Sequence, residues 1–523
     1  ELFNYIIFIS NFGLLKILIY LSHCIILAIV IMKKILRYGF SFFFILNLLV
    51  VVKGEGYEIK LKINGLSDTI VILGHYFDKS MYPDDTVMLN KKGVGIFKGE
   101  NSLPGGMYII FLPSSKFFEI LVSEDQKFSI EADTANFIDN LSFEGSDENS
   151  IFLNFQKYMK SIKIKADSIQ KLIINADNAE EKKMYHKQLK EINENRIGHI
   201  NNIVEKNPGL FVSKFLNATL EIVVPDPPKD EDGNVIDSTW QYYYYRKHYF
   251  DNFDISDARM LRTPLYEDRI MNYITKVIPQ IPDSIIPEID MLIGKSRADS
   301  SLFRYMLITL FNHYGKSKIM GMDAVQVHIA DKYYITESWW SDPKFIEDLK
   351  DKIEKIKPLL IGAKALNIEL INMPAQHFIE AKNDTALKRF PHIGIHFSLY
   401  DIKAEYTILL FWEADCGHCK TVVPAMYKIF QNSLKDHNIK VLAISTLFGE
   451  EGKIKWVDFV NKYGLYEWIN AWNPYSYDFK VKYNIMSTPQ IFLLDSDKKI
   501  IAKNISPEQT LDILKTINNN VQL

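Results

Sequence analysis

An apolar run from Tyr406 to Trp412 delivers two cysteines, Cys416 and Cys419, to the start of a helix-compatible segment that continues past Pro424. The run is short and partly β-branched or aromatic, so it reads as a buried strand, and the segment after it reads as helix. The two thiols stand at that switch. A thiol at a helix N-terminus faces unpaired backbone N–H groups and the positive end of the helix dipole, which favour its thiolate. Cys416 is therefore the candidate nucleophile. Cys419, one helical turn behind, is placed to attack a mixed disulfide on Cys416 and close an intramolecular Cys416–Cys419 disulfide.

At 523 residues the chain is too long for one core, and about three domains are expected. A formal charge of −3 argues against a basic footprint for nucleic acid. Hydrophobic content of 47% and charged content of 24% are those of ordinary globular protein. Aromatic residues make up 13%, and these are expected chiefly to fill cores.

The first 54 residues form a separate unit. Met32 reads as a start, Lys33, Lys34 and Arg37 as a basic region, Tyr38 to Val52 as an apolar core, and Val52-Lys53-Gly54 as a cleavage site before Glu55. The alternative is a membrane span over Tyr5 to Val30, whose one charge is Lys16. Either reading places the rest of the chain outside the cytoplasm, as an exported protein, periplasmic or membrane-anchored and facing the periplasm. Of the three cysteines, Cys24 lies in this segment, so a cleaved product keeps only the active pair and has no structural disulfide. With no spare cysteine to relay electrons, it must exchange them with a separate partner. Loss of five Lys/Arg and one Glu from totals of 61 and 64 leaves a net charge near −7.

Residues 55–144 alternate apolar and polar side chains in short runs such as Tyr57 to Ile63, punctuated by Gly93, Gly95 and Pro104-Gly105-Gly106, and read as a small all-β domain. Residues 145–357 read as helical, with amphipathic segments from Phe152 to Asn175 and Glu180 to Glu205. The aromatic run Trp240 to Phe250 is expected to be a helix that seals neighbouring helices. Neither region offers a catalytic constellation. Residues 358–523 return to an α/β pattern: an edge strand after Leu359, the strand with the cysteines, a helix that Pro424 should bend, a strand Lys440 to Ser445, and a hairpin after Pro489.

Phe411-Trp412, Cys416-Gly417-His418-Cys419, Pro424 and Thr488-Pro489 together resemble the thioredoxin fold, and more closely the exported thioredoxin-like reductases of the TlpA type found in bacterial envelopes. The likeness covers roughly Leu359 onward. The upstream regions resemble the two accessory domains that often precede such a domain. The resemblance implies a multidomain chain with a C-terminal α/β thioredoxin-like fold, in which Cys416 attacks and Cys419 resolves. It also implies that Pro489 is a cis-proline whose neighbour Thr488 pairs through its backbone with substrate, with Trp412 beside them in substrate binding. His418 would stabilise the Cys416 thiolate and raise the potential to about −180 mV. Leu410 stands where relatives keep a buried acid, which leaves Glu413 as the candidate for proton transfer; Asp415 would oppose the thiolate if it pointed inward.

The activity this implies is thiol-disulfide exchange, with reduction expected over oxidation. It needs no cofactor beyond the redox-active pair. Its partners are a disulfide-containing protein substrate and an external membrane electron donor, with no nucleic acid; the oligomeric state is left open. A peroxide-reducing enzyme is disfavoured because both cysteines share one Cys-x-x-Cys. A zinc site is disfavoured for want of a second ligand pair. A redox-controlled binding or adaptor protein of the cell envelope is the alternative.

Overall fold

The computed structural model describes residues 56–77, 80–136, 138–389 and 394–517. The expected leader segment and Cys24 lie outside the described residues. Three regions follow one another: an all-β region, a helical region and an α/β region.

The first is a sandwich of two four-stranded sheets. One has the order β4 (Val94–Lys98), β1 (Glu58–Asn64), β7 (Lys127–Asp133), β8 (Ser142–Glu144); the other is β3 (Ser80–Met88), β2 (Ile70–Phe77), β5 (Gly106–Phe111), β6 (Phe117–Val122). Alternation decides the faces: Ile59, Leu61 and Ile63 of β1 are buried while Lys60 and Lys62 point out, and Phe128, Ile130 and Ala132 of β7 join the same core. β1 and β7 run parallel, from Glu58 opposite Lys127 to Asn64 opposite Asp133, a long-range pairing that local pattern does not reveal.

The helical region opens with a hairpin, α1 (Asp147–Asn175) and α2 (Ala179–Lys206), whose N-termini are capped by Ser146 and Asn178. The buried Asn149 fastens α1 to the edge strand β6. Its carboxamide accepts from the Leu121 N–H at 2.8 Å and donates to the Leu121 carbonyl at 2.7 Å, satisfying backbone groups that the sheet edge would leave open. The remaining helices pack around a core that includes Phe211, Tyr266, Ile289, Leu292, Met306 and Leu310. The aromatic run departs from expectation. The helix Trp240–His248 has no buried residue, and Tyr242, Tyr243 and Tyr245 are exposed; Trp240, Tyr244 and His248 stack on one another instead, and sealing falls to the end of the run, where Tyr249 is buried and Phe250 packs on the core, and to Phe253 beyond it.

The C-terminal region is a seven-stranded sheet in the order β10 (Ile395–Ser398), β9 (Glu369–Asn372), β13 (Ile469–Trp472), β12 (Ile439–Ser445), β11 (Tyr406–Trp412), β14 (Gln490–Leu494), β15 (Ile500–Lys503). β11, β12 and β13 are parallel and the outer strands antiparallel. Every residue of β11 is buried, because helices cover both faces: Ile408, Leu410 and Trp412 enter one core, Leu409 and Phe411 the other. The helices that matter for the site are α3 (Cys419–Ile429), which continues through Pro424 into a π turn over Phe430–Leu434, and α4 (Gly449–Tyr463), ended by Gly464 in the left-handed region at φ 65°. This is a thioredoxin-like α/β arrangement, preceded by the all-β and helical regions.

Two expectations are corrected. β9 is not an edge strand: β10 and β13 flank it, and β10 takes the edge. The strand β13 and the helices Ala375–Ala381 and Thr385–Arg389 were not foreseen, being too short for periodicity to show. Among the described residues no helix is long and apolar enough to cross a membrane. The helical and α/β regions are joined through Lys503, whose ammonium donates to the Leu359 carbonyl at 2.6 Å and pairs with Asp323.

Candidate active site

β11 ends at Trp412, and the chain needs only Glu413 to His418 to turn into α3. The turn leaves Cys416 half-buried in front of the helix and Cys419 fully buried as its first residue. Both are free thiols, so the structure represents the reduced pair. Opposite them the chain re-enters the sheet through Thr488 and Pro489, joined by a cis peptide bond. The Cys416 thiol donates to the Thr488 carbonyl at 3.3 Å.

The two thiols occupy opposite electrostatic settings. Burial raises the pKa of Cys416, but hydrogen bonds from the Cys419 N–H, the Thr488 side chain, the Cys419 thiol and the His418 N–H outweigh it, and the net shift is downward. Cys419 is dominated by burial and is pushed up to about 12, despite a hydrogen bond from the Glu413 N–H at 3.5 Å. The thiolate is thus favoured at Cys416, and Cys419 is held protonated.

The remaining residues singled out from sequence fall as follows. Thr488 meets Cys416 through its carbonyl, and Thr488 and Pro489 are both partly exposed. His418 is exposed, and it is its backbone N–H that supports Cys416. Glu413 stands just past the strand, beyond the reach of strand alternation; its carboxylate accepts from the Thr446 hydroxyl at 2.6 Å and lies 3.5 Å from the Lys480 ammonium. Asp415 points away from the thiols and pairs with Lys455 at 3.2 Å. Trp412 is a correction. It is 0% exposed, with its ring 4.7 Å from that of Phe459, so it is a core residue and offers no surface to substrate. Thr446 and Lys480 escaped the sequence reading, since they come from other elements and carry no local motif. Among the described residues, no group of three or more His, Cys, Asp or Glu is arranged to hold a metal.

Residues 404–500 match the family model described as thioredoxin-like. Residues 234–357 match a domain of unknown function, DUF5106, which lies wholly within the helical region. No curated protein matches the chain. Among solved structures, a domain of a possible thiol-disulfide isomerase from Cytophaga hutchinsonii is 31% identical, over 31% of this chain and 95% of that one, with a TM-score of 0.25. A thioredoxin-like protein from Bacteroides caccae is 20% identical, over 57% of this chain and 100% of that one, with a TM-score of 0.40. The thioredoxin domain of a thiol-disulfide oxidoreductase from Bacteroides vulgatus is 23% identical, over 30% and 96%, with a TM-score of 0.24.

Proposed function

We propose that the C-terminal domain is a thiol-disulfide oxidoreductase of the TlpA type that acts outside the cytoplasm and reduces disulfides in protein substrates. The observation that carries this reading is the asymmetry of the pair: a half-buried Cys416 whose pKa is lowered, beside a buried Cys419 whose pKa is pushed up to about 12. The Cys416 thiolate attacks a substrate disulfide and expels one substrate thiolate. Cys419 then attacks Cys416, the second substrate thiolate leaves, and two electrons have passed from the pair to the substrate. A dithiol donor at the membrane restores the reduced state. Thr488, with its carbonyl turned to Cys416, receives the substrate backbone, and the His418 backbone N–H supports the Cys416 thiolate.

The test is turnover of a protein disulfide by protein starting at Glu55, together with the equilibrium potential of Cys416–Cys419 in glutathione buffers. A potential at or below about −270 mV supports the reductase and means that His418 has little influence on the pair, whereas one well above about −200 mV makes the protein an oxidant or isomerase. No turnover, or no intramolecular disulfide, removes the reading.

A further inference from the structure

Beside the Lys503–Asp323 pair, the helical and α/β regions leave a cavity of about 680 Å³ between them. Small-molecule sites measure about 300–1,000 Å³ and form preferentially at domain interfaces, so both its size and its place suit a ligand. Neither cysteine lines it.

One wall belongs to the helical region. Tyr314 and Lys318 come from the end of the helix Ser300–Gly315 and the turn after it, and Gln326 from the helix Asp323–Ile329. The other wall is Asn504, just past β15, with Gln509 and Asp512 of the helix Pro507–Ile517. That helix is fixed from behind, since its Leu514 enters the core that holds Val423 and Met426 of α3.

Among the described residues, no hydrogen bond or ion pair engages the side chains of Lys318, Gln326, Asn504 or Asp512. Tyr314 is 3% exposed, yet its hydroxyl has no hydrogen-bond partner. Gln509 accepts the Ser506 N–H on its Oε1 at 2.9 Å, which leaves its NH2 group free to donate. The Gln326 amide lies against Gly315, where a Cβ would come within 2.6 Å of Nε2, so a glycine there is what gives the amide its place.

Unpaired polar groups in a cavity wall favour a molecule that pairs them. Charge decides the class of that molecule. The Lys503 ammonium is taken up by Asp323 and the Leu359 carbonyl, and the charges left in the wall are one cation, Lys318, and one carboxylate, Asp512. The cavity thus selects neither anions nor cations. Its neutral polar groups are chiefly carboxamides, which offer donors and acceptors together, and a ligand hydroxyl also does both. Met320 and Ile513 add apolar surface for the C–H faces of a ring.

We propose that this cavity binds a neutral saccharide of one or two rings, held from both regions at once. Gln326 and Lys318 take its hydroxyls from the helical wall, and Asn504, Gln509 and Asp512 from the other.

The experiment is saturation-transfer NMR of the protein with glucose, N-acetylglucosamine, maltose, cellobiose and xylobiose, beside glycylglycine and inorganic phosphate. At least one saccharide is expected to bind, and glycylglycine and phosphate are not. Gln326→Leu and Asp512→Leu, one from each wall, are each expected to weaken that saccharide about 10-fold, as loss of a hydrogen-bonding partner does. Gly315→Ala keeps every binding group and sits at an exposed helix end, so it serves where Gln326→Leu fails to fold; its methyl group displaces the Gln326 amide and is expected to weaken binding about fivefold. Binding by none of the saccharides overturns the proposal. So does binding that either wall leaves unchanged when altered, since the sugar is then not held from both regions. Binding of glycylglycine or phosphate in place of the saccharides makes the cavity a zwitterion or anion site and overturns it as well.

Discussion

Cys419 and Lys453 belong to the same layer of the C-terminal domain and are equally hidden, at 0% and 1% exposed, yet they stand in opposite surroundings. Cys419, on α3, is met by the Glu413 N–H and by the second thiol. Lys453, on α4, has no hydrogen-bond partner for its ammonium; it lies 5.5 Å from the Trp472 ring centroid, and burial lowers its pKa to about 8. His377, itself nearly buried, has its pKa lowered by burial and then by the Lys453 charge. A shifted pKa is therefore common to both places. What separates the candidate site from an awkward core is convergence: the Thr488 carbonyl meets Cys416 and the Glu413 N–H meets Cys419, whereas nothing meets the Lys453 ammonium.

The sharpest way to break the comparison is at the thiols. Cys416→Ser is expected to abolish disulfide reduction, and Cys419→Ser to retain attack but accumulate the mixed disulfide, visible as a mass increase on the intact protein. Turnover surviving in Cys416→Ser would mean that the convergence around this pair does not mark the reactive atom.

Next in size is Trp412. Complete burial against Phe459 predicts that Trp412→Ala destabilises the domain by about 3–5 kcal/mol, measured by urea unfolding, as for other large core truncations. Trp412→Phe is expected to leave KM for a protein disulfide unchanged. A raised KM in a normally stable Trp412→Phe variant would restore the substrate role that the sequence suggested.

That reversal shows what was legible. The strand, the cysteine pair and the Thr488-Pro489 turn are local patterns, so they can be read without a structure. Whether Trp412 faces substrate or core is set by α4, which packs over the strand from forty residues downstream. The same holds for Glu413. Its position was visible, but its partners Thr446 and Lys480 come from elements that only the sheet order brings together. Strand β13 and the parallel β1–β7 pairing were likewise hidden, since neither length nor periodicity encodes long-range register.

The alkaline range tests the two buried groups against each other, because their pH dependences have opposite signs. Cys419 keeps its proton in the folded state up to about 12, while an unfolded thiol loses it near about 8.5. The folded protein then binds more protons than the unfolded one. Reduced protein should therefore lose about 2 kcal/mol between pH 7 and pH 10 from this group, and Cys419→Ala should remove that loss. Lys453 runs the other way. Its folded pKa of about 8 lies below an unfolded value near 10.4, so the unfolded state binds more protons between them and stability from this group rises with pH across that window. Lys453→Met should accordingly stabilise the protein by about 1–3 kcal/mol at pH 7 and flatten the alkaline rise, with disulfide reduction unaltered. A Lys453→Met variant that loses activity would show that the unpartnered lysine serves the site after all.

The smallest effect is expected at the rim. Asp415 precedes the nucleophile and carries the charge that would oppose a thiolate, yet it is turned to Lys455, and both side chains are substantially exposed. In water such a pair contributes less than about 1 kcal/mol and is screened further by salt. Asp415→Asn should therefore change unfolding stability by less than about 0.5 kcal/mol and leave the pH at which Cys416 becomes reactive to iodoacetamide within about 0.3 units of wild type. A larger drop in that midpoint would mean that the carboxylate acts on Cys416 in solution, the lysine having failed to hold it away. The electrostatics of the pair would then be set at its exposed rim as much as by the backbone N–H groups of His418 and Cys419.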